Sequence, residues 1–590
     1  MTRFSHAVAL GLALLGLAAC GAAPAPAPAP AVNLGVPADR LNHIVERYWD
    51  ELAAAKEPIA PQLMADSLGR EQRLLAELRA IARPALDGDS RLTYDILERR
   101  LEMDIEGFTY PAELLPVNPF AGPPRDLALA AAETSLHPLR SVKDYENWLR
   151  RIDDYALWCR QAIANMREGM RRGYTSPRSV MERMLPLLHR LGDDNSANVF
   201  YVPLQTLPQT LGSTDLGSTD RTQLAERLNG AVKNKLLPAY RELHDFIQRD
   251  YLPRTRLSIA LSALPLGPSW YAYRVKRATG TQLTPSEIHT VGLTEVEHLR
   301  ARWTALALSP PPASVPASAS APALVPGAAA RIGAADLQGG YQALKEQALA
   351  ALPSVFAAAP PADVEIRELA VFDDEAGPLR YQPAAPDGGL PATLYVNPAS
   401  SAASSAARPP GVDVAGFLAA ALPGRHYQSA LQQARTDLPK FRRFGADPAF
   451  VDGWALYSVS LGEQLGLIGD EEATRGVLSA QLKCAAALVV DTGLHAKGWT
   501  REQAVDYLRA QLGTEAAEAT VMVDRYAALP GDALACKMGE LKFQALRNRA
   551  QTLWGARFDI HEFHSRILKD GAMPLDILEA RMRLWMEARP

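Results

Sequence analysis

Apolar side chains recur every third or fourth residue along most of this chain, a period that an α-helix turns into one buried face. After Ser141, the residues Tyr145, Trp148, Leu149, Ile152, Ala156, Cys159, Ile163 and Met166 keep that spacing. Ser141 and Asp144 stand three apart, the spacing of a capping box in its acidic form, so the helix is expected to start at this serine. Thr500 with Gln503 marks another start, ahead of Ala504, Tyr507 and Leu508. A further helix is expected to stop at Pro530-Gly531, and Pro574 is placed for the first turn of the last one. Aromatics are only 7% of the chain and alanine is abundant, which also favours helix. Two segments depart from the period: Val364 to Val371 alternates apolar with charged residues, and Thr393 to Asn397 reads TLYVN. These are the expected strands. The fold class is therefore mainly α, with a small β-sheet expected beside a central cleft. Three low-complexity stretches, 211–220, 309–330 and 399–410, have no face to bury and are expected as disordered surface insertions.

The N-terminus restricts where such a fold resides. Arg3 precedes an apolar run from Ala7 to Ala19, long enough for a signal sequence and too short to span a bilayer. It ends in Leu17-Ala18-Ala19-Cys20, which resembles the lipobox of bacterial lipoproteins. The resemblance implies a signal peptide over 1–19, with cleavage before Cys20 and acylation of its thiol and new amine. Cys20 would then tie the chain to a lipid membrane, each buried CH₂ contributing about 0.8 kcal/mol. Gly21, in place of Asp, points by the same resemblance to the outer membrane, facing the periplasm. Residues 20–35 form an Ala/Pro stalk, and 36–590 is left as one large helical body. Lys+Arg 62 against Asp+Glu 66, with no basic run, argues against a nucleic-acid partner. Cys159, Cys484 and Cys536 are odd in number and widely spaced, so they are expected as buried apolar residues, with no disulfide framework.

No Gly-rich phosphate loop, GxSxG elbow or HExxH is present. His561-Glu562 comes nearest to the last of these. However, Asp559 and Glu562 have capping-box spacing, and His564 lies three residues from His561 where a metal helix needs four. More informative are the strings FLAAALPGRHYQSALQQARTDLPKFRRFGADPAFVDGWALYSVSLGEQLGL at 417–467, VVDTGLHAKGWTREQAVDYL, VDRYAALPGDALACKMGELK and GAMPLDILEARM. With YLPRTRLSIALSALPLGPSWYAYRVK and TPSEIHTVGLTEV upstream, they resemble the bacterial family known as domain of unknown function 885, a group similar to helical zinc peptidases. The likeness covers nearly the whole mature chain.

That resemblance implies a centre of the form His-Glu-Ala-x-Pro-Gly-His-His, followed by Val-Glu-Gly-Trp-Ala. In such a site, imidazoles and a carboxylate hold zinc while the first Glu deprotonates metal-bound water. In this chain the His and Glu slots are Ala419 and Ala420, and Arg425 replaces a His. His426 survives, and Asp452 stands for the later Glu. Loss of a general base costs ~10²–10⁴-fold in rate. A guanidinium about 4 Å from a dication is opposed by roughly 8 kcal/mol at an effective dielectric near 20. His426 and Asp452 are accordingly vestigial metal ligands, and no cofactor is expected. Outside the metal shell, Trp454, Asp491, Gly493, Pro530, Gly531 and Gly539 match family positions, whereas Cys536 replaces a customary aromatic. So do Tyr457, His495, Arg525 and Tyr526, for which the resemblance implies substrate-side roles, converging near His426. Arg525 has a second reading, an ion pair with Asp491. The combined expectation is a catalytically inactive envelope lipoprotein that binds peptides or an envelope protein. Two alternatives remain: an active hydrolase with an unusual or absent metal site, and a structural or partner-binding lipoprotein.

Overall fold

The computed structural model describes residues 36–54, 59–132, 139, 141–210, 218–308, 337–369, 377–386, 388–397 and 412–588. The signal sequence, Cys20, the stalk, and the stretches 309–330 and 399–410 lie outside them. Of the tandem at 211–220 only Ser218–Asp220 is described, where it opens the helix Ser218–Ala231.

The helices that position the site are, in chain order, α1 (Val142–Arg172), α2 (Gly267–Thr279), α3 (Pro285–Leu308), α4 (Val414–Ala420), α5 (Arg425–Ala434), α6 (Pro448–Val459), α7 (Glu471–Ala496), α8 (Ala516–Ala528), α9 (Leu534–Trp554) and α10 (Ile560–Leu568). Ser141 caps α1 as expected, its hydroxyl accepting from Asp144 N while the Asp144 carboxylate accepts from Ser141 N at 2.8 Å. Tyr145, Trp148, Ile152, Cys159, Ile163 and Met166 are buried along one face of α1. Thr500 closes the same reciprocal box on Arg501–Leu512. Pro574 comes one residue before the last helix, Leu575–Ala588, its carbonyl accepting from Leu578 N at 3.0 Å.

Among the described residues the apolar interior falls into three clusters. One gathers around α1 with the helices over 178–251 and the inner face of α8. A second joins the N-terminal helices to α4, α6, α9, α10 and the sheet. A small aromatic cluster of Tyr110, Trp270, Tyr271 and Ile288 lies apart from both. Helix α7 contributes to all three, through Leu482, Val477 and Leu488 respectively. It is apolar and long enough to cross a membrane, yet every residue from Ala485 to His495 is buried in the body, so it is a core helix.

The sheet has the order β1-β3-β2, from β1 (Glu365–Glu368), β2 (Leu379–Gln382) and β3 (Thr393–Val396). β1 runs parallel to β3 and β2 antiparallel to it. β3, the strand expected from the TLYVN string, lies between the other two, and all four of its residues are buried. β2 escapes sequence reading because Leu379, Arg380 and Tyr381 are each half-buried, leaving no alternation.

One expectation is overturned. Cys484 on α7 and Cys536 on α9, 52 positions apart in sequence, form a disulfide with Cα atoms 6.1 Å apart. An odd cysteine count hid the pair, because Cys159 is the one left over, free and buried as expected.

Candidate functional site

The family-motif slots lie where α4, α5 and α6 meet. Asp413 caps α4 by accepting from Gly416 N at 2.8 Å, and Asp447 caps α6 by accepting from Phe450 N, with Pro448 in the first turn. Between α4 and α5 the chain turns so tightly that a Cβ on Gly424 would overlap the carbonyl of Ala419. Trp454 Nε1 donates to the Pro423 carbonyl at 2.9 Å, pinning that turn to α6. Helix α6 in turn meets α9 backbone to backbone, for a Cβ on Gly453 would overlap Gly539 Cα.

In this frame Arg425 and Asp452 are partners. Arg425 Nη2 lies 2.7 Å from Asp452 Oδ1, and each side chain is 35% exposed. Ala419 is half-buried and Ala420 buried on the last turn of α4. Among the described residues, no three His, Cys, Asp or Glu side chains gather as a metal would require. His426 is buried with both ring nitrogens engaged: Nε2 donates to Ala362 O at 3.0 Å, and Nδ1 faces Tyr381 Oη at 3.3 Å. Burial holds its pKa below the usual histidine range.

None of the four substrate-side candidates is among the hydrogen-bond partners of His426 described above. Tyr457, on α6, is buried and its hydroxyl meets His564 Nε2 at 2.9 Å. His564 Nδ1 donates to Val355 O at 2.8 Å, so Nε2 accepts the tyrosine proton. Burial pushes His564 down to about 3 and Tyr457 up to about 12, leaving both neutral. His495 is equally enclosed. Its Nδ1 accepts from Leu261 N at 2.9 Å and its Nε2 donates to Tyr526 O at 3.0 Å, with burial pushing it down to about 3. Tyr526, on α8, is buried in the first cluster, away from the Tyr457 core.

Arg525 alone of the four is exposed. It does not pair with Asp491, whose buried carboxylate accepts from Tyr271 Oη at 2.6 Å and from Gly531 N at 3.0 Å. Burial outweighs those bonds and pushes Asp491 up to about 7. The Arg525 guanidinium lies 5.6 Å from the Phe120 ring centre and, among the described residues, carries no hydrogen bond. Asp532 lies within electrostatic reach of both Arg525 and Asp452. Phe120, Tyr381 and His564 are site residues that sequence reading missed. His564 left a trace as the third residue of the rejected His561-Glu562 string. His561 itself bonds Asp559 and the Pro353 carbonyl.

The model of a family described as bacterial protein of unknown function, DUF885, matches residues 28–582. The chain belongs to this family. A crystal structure of a protein from Colwellia psychrerythraea, provisionally described as a lipoprotein, is similar at a TM-score of 0.77 and 22% identity, covering 94% of this chain and 100% of that one. A protein from Shewanella oneidensis, provisionally described as a lipoprotein of unknown function, follows at 0.62 and 14%, covering 93% and 99%. At these identities the likeness establishes the shared fold. No curated protein matches the sequence significantly.

Proposed function

We propose that this family member is an envelope lipoprotein, held at the outer membrane on its periplasmic side through Cys20, that has given up metal-dependent hydrolysis and is a non-catalytic scaffold. The ion pair between Arg425 and Asp452, at 2.7 Å, carries this reading. The carboxylate at the family's later Glu slot is already neutralised by a guanidinium, which supplies the positive charge that a zinc ion would bring. Solvent reaches both side chains, so opposition to an incoming dication is weaker than the roughly 8 kcal/mol of a poorly screened site. Ala419 and Ala420 nevertheless supply neither imidazole nor base. The lipid anchor is supported by the Leu17–Cys20 string and by the lipoprotein descriptions of the two structural neighbours. The Cys484–Cys536 bond fits an oxidising compartment.

Metal analysis of the chain beginning after the stalk tests the first part, with well under one zinc per chain and no peptide or ester hydrolysis expected. Restoring the family slots together, as A419H, A420E, R425H and D452E, is expected to raise zinc uptake. Stoichiometric zinc with chelator-sensitive hydrolysis in the natural chain would overturn the reading.

The exposed guanidinium of Arg525 favours a second element, non-hydrolytic binding of peptides that offer a carboxylate. Arg525→Ala is expected to weaken such binding roughly 10- to 100-fold, as loss of a charge-assisted contact does. An amidated peptide that binds the natural chain as well as the free acid would rule this element out.

A further inference from the structure

The C-terminal hairpin of α10 and the helix Leu575–Ala588 lines an open pocket of about 270 Å³ that the site above does not use. Its apolar lining includes Met573, Leu578, Met582 and Trp585, and Arg566, Lys569 and Arg581 also border it. Arg581 is tied to Asp570 at 2.6 Å. Arg566 only overlies the Trp585 ring at 5.8 Å, and the exposed Lys569 ammonium has no acidic partner among the described residues. Beside the pocket the Trp554 and Trp585 rings meet at 4.7 Å, and the leucine preceding each is turned outward: Leu553 is 54% and Leu584 62% exposed. The two rings are themselves buried, but exposed leucines with Lys569 and Arg566 nearby are suited to the headgroup region of an anionic bilayer.

The chain's attachment supports that occupant. The first described helix, Pro37–Ala54, packs on 440–444 through the Tyr48–Phe441 and Trp49–Phe444 ring contacts. Arg442 of that segment donates to the Asp570 carbonyl at 2.6 Å, at the pocket's edge. The C-terminal half of that helix therefore lies beside the part of the body that carries this surface, and a fully extended spacer of the 15 residues 21–35 would reach about 45 Å, more than the roughly 27 Å length of the helix. We propose that the surface around Leu553, Leu584, Arg566 and Lys569 rests on anionic phospholipid of the membrane that holds the anchor, a second membrane contact beyond Cys20. It orients the body and is independent of whether the family's hydrolytic centre operates.

Co-sedimentation with vesicles tests this on the mature chain carrying Cys20→Ser, so that no acyl group contributes. Binding is expected to phosphatidylcholine vesicles containing phosphatidylglycerol, to fall with added salt, and to be weak on phosphatidylcholine alone. The R566A and K569A pair is expected to lower partitioning about 25-fold, roughly fivefold per cation. Leu584→Ser is expected to weaken binding too; Lys569 and Leu584 are exposed and Arg566 is half-buried, and melting temperatures of the three variants check that the fold is unchanged. Absence of binding to the anionic vesicles, or equal binding by the R566A and K569A pair, would overturn the proposal. Detergent partitioning of the acylated chain reads the Cys20 anchor separately.

Discussion

Replacing Cys484 and Cys536 by serine tests the feature that the sequence concealed. The bond closes a loop of 52 residues, and loop-closure entropy assigns it about 14 cal/mol/K, or about 4 kcal/mol at 25 °C. It also holds α7 against α9 beside a buried charge cluster, in which Lys537 reaches Glu540 at 2.8 Å and Glu295 at 2.9 Å. Those charges are paired with one another, so the entropic figure alone is taken for the bond. A body of about 550 residues has an unfolding entropy near 1.2 kcal/mol/K at its midpoint, so this loss corresponds to a fall of about 3–4 °C in Tm. Scanning calorimetry with and without reductant is the assay. The reduced natural chain should melt with the double serine variant, and reductant should leave the variant unmoved. Thiol titration of the unfolded, unreduced chain carrying Cys20→Ser should find one thiol, that of Cys159. Three thiols, or a variant that melts with the oxidised protein, would refute the reasoning.

Gly453→Ala and Gly539→Ala should each cost about 2–3 kcal/mol in urea unfolding by forcing α6 off α9, whereas Gly469→Ala, with open space around it, should be nearly neutral. Tyr457→Phe leaves His564 Nε2 without its donor and should destabilise by about 1–3 kcal/mol while leaving carboxylate-peptide titrations unchanged. Stability should depend on pH in opposite senses at two residues of α7. His495 is near 3 when folded against 6.5 unfolded, so its contribution is lost as pH falls through that window, by about 1.4 kcal/mol per unit. His495→Gln should flatten that slope. Asp491 is near 7 when folded against 3.8 unfolded, so the fold keeps a proton that the unfolded chain releases, and stability falls as pH rises between those values. Asp491→Asn should remove this decline, and urea midpoints taken from pH 4 to 7 read both effects.

What was legible in the sequence was local. The capping boxes at Ser141 and Thr500, the buried face of α1 and the central strand TLYV each depend on residues within a few positions of one another. Ala419, Ala420, Arg425, His426 and Asp452 lie where α4, α5 and α6 meet. Their relation was not legible. Arg425 and Asp452 stood 27 residues apart as two members of one metal shell, and nothing in spacing says that a longer cationic side chain will reach the carboxylate. Contacts such as Tyr457 with His564, 107 residues away, or His495 with Leu261, 234 away, have no periodicity to betray them. Asp491 and His495, one helical turn apart, find separate partners for the same reason.

These contacts have structural duties of their own. Trp454 holds the turn before α5, Gly453 and Gly539 let two helices touch, His495 ties the Leu261 segment to α8, and Tyr457 closes on His564. Each is needed for burial to proceed without an orphaned polar group or a clash, whatever happens at a metal. Their presence therefore does not separate a hydrolase from a scaffold. The side chains that discriminate are those with no such structural duty. At Arg425 and Asp452 the charges satisfy each other, which speaks for the scaffold, and at Arg525 the guanidinium is left facing solvent over Phe120. If a carboxylate ligand is bound near Asp452, Arg525 is the candidate free to hold it, because Tyr457 and His495 already use their side-chain polar atoms inside the fold and Tyr526 is buried.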